Sequence, residues 1–129
     1  MGRSRPVRVA RAYDPPGDDD GTRVLVDRLW PRGLRKDAAA LDHWCRAVAP
    51  STELRKWYGH DPARFAGFAE RYLSELDDPG HAAALAALRR LTREGRLTLL
   101  TATKDLELSQ ARVLADVLTG ARKRPVRRR

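Results

Sequence analysis

The chain is poor in the residues that usually betray chemistry: one cysteine, three histidines, four lysines and 6% aromatics in 129 positions, with no long apolar run. The lone Cys45 cannot form an intramolecular bridge, and no Cys-x-x-Cys pair or Cys/His cluster offers a zinc site. A reducing, cytoplasmic setting is expected, with no metal and no cofactor. No segment approaches the roughly 20 apolar residues that span a bilayer, and the basic start MGRSRPVRVARAY lacks an apolar run of signal length. Neither export nor a membrane partner is expected. Nothing here sets an oligomeric state.

The formal charge is +9, a value that invites a nucleic-acid reading because basic surfaces gain affinity by releasing counterions from phosphates. Two features narrow it. Of the 26 basic residues, 22 are arginine, a skew expected of a GC-rich genome. Six of those charges fall in the last eight residues, RKRPVRRR, which leaves about +3 for the rest. Residues 1–120 are therefore read as one α/β domain, long enough to bury its own core, and 121–129 as a basic, disordered tail. Nucleic acid enters only as a partner of that tail.

Along the body, residues 5–12 (RPVRVARA) alternate like a half-buried strand, and 14–21 (DPPGDDDG) read as a solvated connection without the spacing of a calcium loop. Residues 22–27 (TRVLVD) form an apolar β-branched run, a central strand that Pro31 and Gly33 forbid from continuing. Leu41, Trp44, Cys45 and Val48 recur at helical spacing and predict a helix over 38–49, stopped by Pro50. Ser51 caps a short helix TELRKWY that Gly59 ends. Asp61-Pro62 opens a helix with the stripe Phe65, Phe68, Ala69, Tyr72, Leu73 and Leu76, and another follows over 81–94, closed by a left-handed Gly95. Residues 96–102 (RLTLLTA) are a further strand, and 109–118 a last helix ended by Gly120.

This order predicts an α/β fold: a small open sheet of about three strands with a parallel central pair, 22–27 and 97–102, and helices packed around it. The direction of the first strand stays open. Ligands of open α/β sheets bind beyond the carboxyl ends of the strands, which places Asp27, Arg28, Trp30 and Arg32 near Thr101, Thr103, Lys104 and Asp105.

The strings VLVDRLWPRGL, APSTELRKWYGHDPARFAGFAERYLSEL and LTLLTATKD together resemble the YeaO-like branch of domain-of-unknown-function family 488, over roughly residues 13–118. The resemblance implies an α/β fold with a polar loop after a central strand, and no particular activity. Neither a helix-turn-helix pattern nor a glycine-rich loop after the first strand is present.

The polar residues carry a sharper hypothesis. Arg28, Arg32 and Arg35 are closely spaced, Arg55 and Lys56 follow the helix start capped by Ser51, and a helix N-terminus offers N–H donors, so a small phosphate or carboxylate is the expected ligand. Its wall would include Asp27, Arg28, Trp30, Arg32, Arg55, Lys104 and Asp105. The opposing reading pairs Asp27 with one of these arginines and packs Trp30 in the core. Asp27 and His60 are the acid/base candidates, His60 also being an ordinary residue at a helix entry. Trp57, Tyr58 and Tyr72 could stack a ring or simply pack. A strand–loop–helix carrying a thiolate nucleophile, as in rhodaneses and cysteine phosphatases, is not expected because the loop TATKDLELSQ has no cysteine. Three classes stay in play: an anion-binding domain or enzyme, a nucleic-acid-associated protein acting through its tail, and a regulatory module without catalysis.

Overall fold

The computed structural model describes residues 7–122, so the basic tail lies outside the described residues beyond Arg122. β1 (Val7–Arg11), β2 (Thr22–Leu25), β3 (His43–Trp44) and β4 (Leu97–Thr101) form one sheet in the order β1-β4-β2-β3, every pair parallel. The sheet has four strands where three were expected. β4, LTLLT, is buried at all five positions because it has a neighbour on each edge and cover on each face. Its register pairs Leu97 with both Val7 and Thr22, and this settles the first strand as a parallel edge strand.

Alternation along the strands sorts two cores. Val24, Val26, Leu97 and Leu99 join a large cluster with residues of α2 (Thr52–Tyr58), α3 (Phe65–Glu75), α4 (Pro79–Glu94) and α5 (Gln110–Thr119). Leu25 and Leu100 belong to a second cluster with Ala12, against which Trp30, Leu34, Leu41 and Trp44 pack. The string that follows β2 therefore covers the second face of the sheet with its own apolar residues.

The helix expected over 38–49 is not formed. A single turn, α1 (Lys36–Ala39), stops at Ala40 in the left-handed region (φ 50°), and β3 and a 3-10 turn (Arg46–Val48) follow. The cause is Arg23, buried on β2: its guanidinium donates to the carbonyls of Ala39 (3.2 Å) and Ala40 (3.1 Å), which a continuing helix would need for its own N–H groups. Asp42 then accepts the Arg23 backbone N–H at 2.8 Å, and Cys45 donates to the Leu25 carbonyl at 2.8 Å, so the chain enters the sheet. The helical spacing of Leu41, Trp44, Cys45 and Val48 was a coincidence of residues that pack on different clusters.

The acidic connection is also less solvated than expected. Asp20 is buried, with Gly17 N–H, Arg8 and Arg23 donating to its carboxylate, while Thr98 Oγ1 donates to its carbonyl. The remaining helices follow their local signals. Ser51 Oγ accepts from Leu54 N at the start of α2, and Gly59 ends it at φ 55°. Asp61 caps a 3-10 turn (Pro62–Arg64) that leads into α3, and Ser109 and Gly120 bound α5. Gly95 ends α4 in an extended conformation (φ 167°), not the left-handed one expected. Among the described residues no helix is long and apolar enough to cross a membrane.

Candidate functional site

At the carboxyl ends of β2 and β4 lies an open cavity of about 570 Å³. Its walls come from three places: the loop after β2 (Asp27, Arg28, Leu29, Trp30, Pro31, Arg32), α2 with its flanks (Pro50, Arg55, Lys56, Tyr58, His60), and the β4–α5 connection (Ala102, Thr103, Leu108, Gln110) with Phe68 behind them. Proline and glycine in the loop and the cap residues of α2 and α5 stop regular structure here, so side chains converge where backbone pairing ends.

Asp27 is the hub of this wall. One carboxylate oxygen accepts from Thr101 Oγ1 (2.7 Å) and Gln110 Nε2 (2.6 Å), and the other from the Ala102 backbone N–H (2.8 Å). Its carbonyl accepts the Trp44 indole N–H at 2.8 Å. These bonds join β2, β3, β4 and α5 through one residue. No arginine pairs with Asp27 among the described residues; the donors to its carboxylate are neutral, which departs from the opposing reading that paired it with an arginine. Three donors hold this carboxylate in one orientation. Asp27→Ala is expected to lower folding stability by about 1–3 kcal/mol, since it leaves the buried Thr101 hydroxyl and the Ala102 N–H without their acceptor. Urea denaturation of the variant beside the parent measures this; an unchanged midpoint would remove the hub role.

Trp30 is anchored too. Its indole donates to the Leu34 carbonyl at 2.7 Å and its ring meets Trp44 edge-on at 5.4 Å, so it packs on the second core while also lining the cavity. Tyr58 donates to the Leu108 carbonyl at 2.7 Å and stacks on Phe68 at 4.4 Å, which fixes α2 against the β4–α5 connection. Burial, then the nearby Asp105 and Asp61 carboxylates, push the Tyr58 phenol above its ordinary range and keep it a donor. The cap of α2 is already engaged: Ser51 donates through its backbone N–H (2.8 Å) and its hydroxyl to the Glu75 carboxylate.

The cations behave differently. Arg28, Arg32, Arg55 and Lys56 are exposed on the cavity wall, and none of their side chains has a hydrogen-bonding or ion-pair partner among the described residues. Among the described residues Asp27 is the sole carboxylate in that wall. His60 lines it as well, with φ at 58° and its ring 5.9 Å from that of Tyr58. Lys104 and Asp105 do not line it; Asp105 instead caps the 3-10 turn Leu106–Leu108 by accepting from Glu107 N. Gln110 was missed in the sequence, although its position directly after the Ser109 cap, on the helix entered from β4, marks the sheet's carboxyl edge.

Cys45 stays away from the wall and packs against the helical core, where burial pushes its thiol up. Trp57 and Tyr72 are likewise used in packing: Trp57 lies under the guanidinium of Arg71 at 3.8 Å, and Tyr72 is fully buried, donating to the Val48 carbonyl. No group of three or more His, Cys, Asp or Glu suited to a metal is found among the described residues.

A family model described as the inactive DUF488-N3 subclade matches residues 6–127. An uncharacterised protein of Mycobacterium tuberculosis is 53% identical over 120 residues, covering 93% of this chain and 99% of the relative, and one of Mycobacterium bovis matches equally. The uncharacterised protein YeaO of Escherichia coli is 43% identical over 112 residues, covering 87% of this chain and 96% of the relative. No solved structure matches the chain.

Proposed function

The chain belongs to the YeaO-like DUF488 family, and because the model it matches describes an inactive subclade, we propose that it binds a small phosphate- or carboxylate-bearing ligand beside the 27–33 loop without turning it over. The observation that carries this reading is the set of four cationic side chains, Arg28, Arg32, Arg55 and Lys56, on the wall of one cavity and without partners among the described residues. Like charges gathered in this way repel each other, and an anion relieves that repulsion while gaining charge-assisted hydrogen bonds from the guanidinium groups. Asp27 brings one negative charge against these four positive ones, and its oxygens are held by three neutral donors. The absence of a thiol in the loop after β4, and the packing of Cys45 against the helical core, support binding over covalent thiol chemistry.

Inorganic phosphate at ten times its dissociation constant is expected to stabilise the parent by about 1.4 kcal/mol. In the Arg28→Ala/Arg32→Ala variant the unliganded stability should stay within about 1 kcal/mol of the parent, since both positions are exposed, while the phosphate-dependent shift disappears. Thermal melts across a phosphate and carboxylate series measure both. A shift of equal size in parent and variant would overturn the site; steady release of phosphate from phenyl phosphate, dependent on His60, would overturn the non-catalytic part.

A further inference from the structure

The distribution of chemistry over the cavity says more about the ligand than its sign. Resting on the anion-binding reading above, we propose that the ligand is a phosphate monoester whose other end is a flat ring with a hydrogen-bond donor on its edge, of nucleoside monophosphate size. Three observations lead there.

The first is size. About 570 Å³ is several times what a bare phosphate fills and falls within the range of sites for compact organic ligands. The second is the order of burial. Arg28, Arg32, Arg55 and Lys56 are exposed, whereas Tyr58 and Phe68, 6% and 1% exposed, lie stacked together in the same wall. A ligand matched to this gradient keeps its phosphate toward the solvent edge, among the cations, and turns its apolar body inward.

The third is the fixed orientation of Gln110. An ionised carboxylate accepts and cannot donate, so the amide nitrogen of Gln110 must face Asp27, as the 2.6 Å contact shows, with Thr101 Oγ1 3.4 Å from the same nitrogen. Gln110 therefore has only its carbonyl oxygen to offer, and that oxygen has no partner among the described residues. Gln110 lines the cavity, and because Asp27 holds its amide nitrogen, the carbonyl oxygen is the group it has left to accept with. An inward-facing ring satisfies it with an N–H or amino group, and a ring without one leaves it unpaired once water is displaced.

Calorimetric titration of the full chain with inorganic phosphate, ribose 5-phosphate, phenyl phosphate and the four nucleoside 5′-monophosphates tests this. At least one nucleoside monophosphate is expected to bind ten-fold or more tightly than ribose 5-phosphate, with phenyl phosphate, which is flat but has no donor, in between. Gln110→Met should narrow the gap between the nucleotide and ribose 5-phosphate about ten-fold and leave the ribose 5-phosphate affinity unchanged. Should that variant fail to fold, the comparison of phenyl phosphate with the nucleotides on the parent protein decides the same point. Equal affinity for ribose 5-phosphate and all the nucleotides would overturn the ring inference and leave the anion reading standing. Parallel weakening of both ligands by Gln110→Met would overturn the acceptor role, and no binding of any phosphate would overturn both readings.

Discussion

Arg23→Ala is expected to cost about 3–5 kcal/mol of folding stability, the usual consequence of removing one partner from a buried ion pair. Arg23 and Asp20 are 3% and 5% exposed, so the carboxylate left behind cannot recover its hydration. The same guanidinium also donates to the carbonyls of Asp14, Ala39 and Ala40. Removing it frees the end of α1 and the entry to β3 together. Arg8→Ala, at the half-exposed second partner of Asp20, should cost far less, about 1 kcal/mol or below. Urea midpoints of the two variants compare them directly, and similar losses would mean that burial of the Arg23 pair contributes nothing special.

The pair also fixes an acid limb. The Gly17 backbone N–H, and then Arg23 and Arg8, hold the Asp20 carboxyl below its ordinary 3.8, against the opposing effect of burial. With the folded pKa depressed, the unfolded chain takes up the proton first as pH falls. The contribution is therefore complete above about pH 4 and is lost as pH drops through the folded value. Asp20→Asn should flatten the fall in stability below pH 4, measured by urea midpoints in that range; an unchanged slope would assign acid unfolding to other carboxylates.

Gly21→Ala is expected to be nearly as damaging, at about 2–5 kcal/mol, from roughly 1–2 for an alanine held left-handed and roughly 1–3 for overpacking. Gly21 sits at φ 64°, and a Cβ there would fall 2.3 Å from the Arg96 carbonyl oxygen. That oxygen accepts the Thr22 N–H at 3.0 Å, the bond that opens the β2–β4 ladder, so it cannot retreat without unpairing the strands. Gly33 supplies the control: its φ is 77°, but a Cβ would meet nothing within 4 Å. Gly33→Ala should show the backbone part alone, about 1–2 kcal/mol. Thermal unfolding of both separates the two costs, and equal losses would show that the contact with Arg96 is relieved at no cost.

The candidate site was legible in part. Strand 22–27 followed by proline and glycine located the loop, and the parallel pairing of β2 with β4 placed Asp27 beside Thr101 as expected. The partners of Asp27 were not legible, because Gln110 lies 83 residues away and nothing local in either segment names the other. Lys104 and Asp105 were carried to the wall by proximity in sequence to β4, but the 3-10 turn capped by Asp105 takes them out of it.

The same division holds for the whole chain. Local signals set the Ser51 and Asp61 caps, the glycines after α2 and α5, and the unbroken apolar run of β4. These depend on hydrogen bonds and side-chain spacing within a few residues. Only long-range packing made 43–44 a strand, set Glu75 on the Ser51 cap of α2, and buried Arg23 against Asp20 with its other donors on the Asp14, Ala39 and Ala40 carbonyls. Each of the latter turns on satisfying a buried or partly buried polar group with one distant along the chain or folded back upon it. Helical spacing over 38–49 had no force against that requirement, because an unpaired buried guanidinium costs more than one short helix gains.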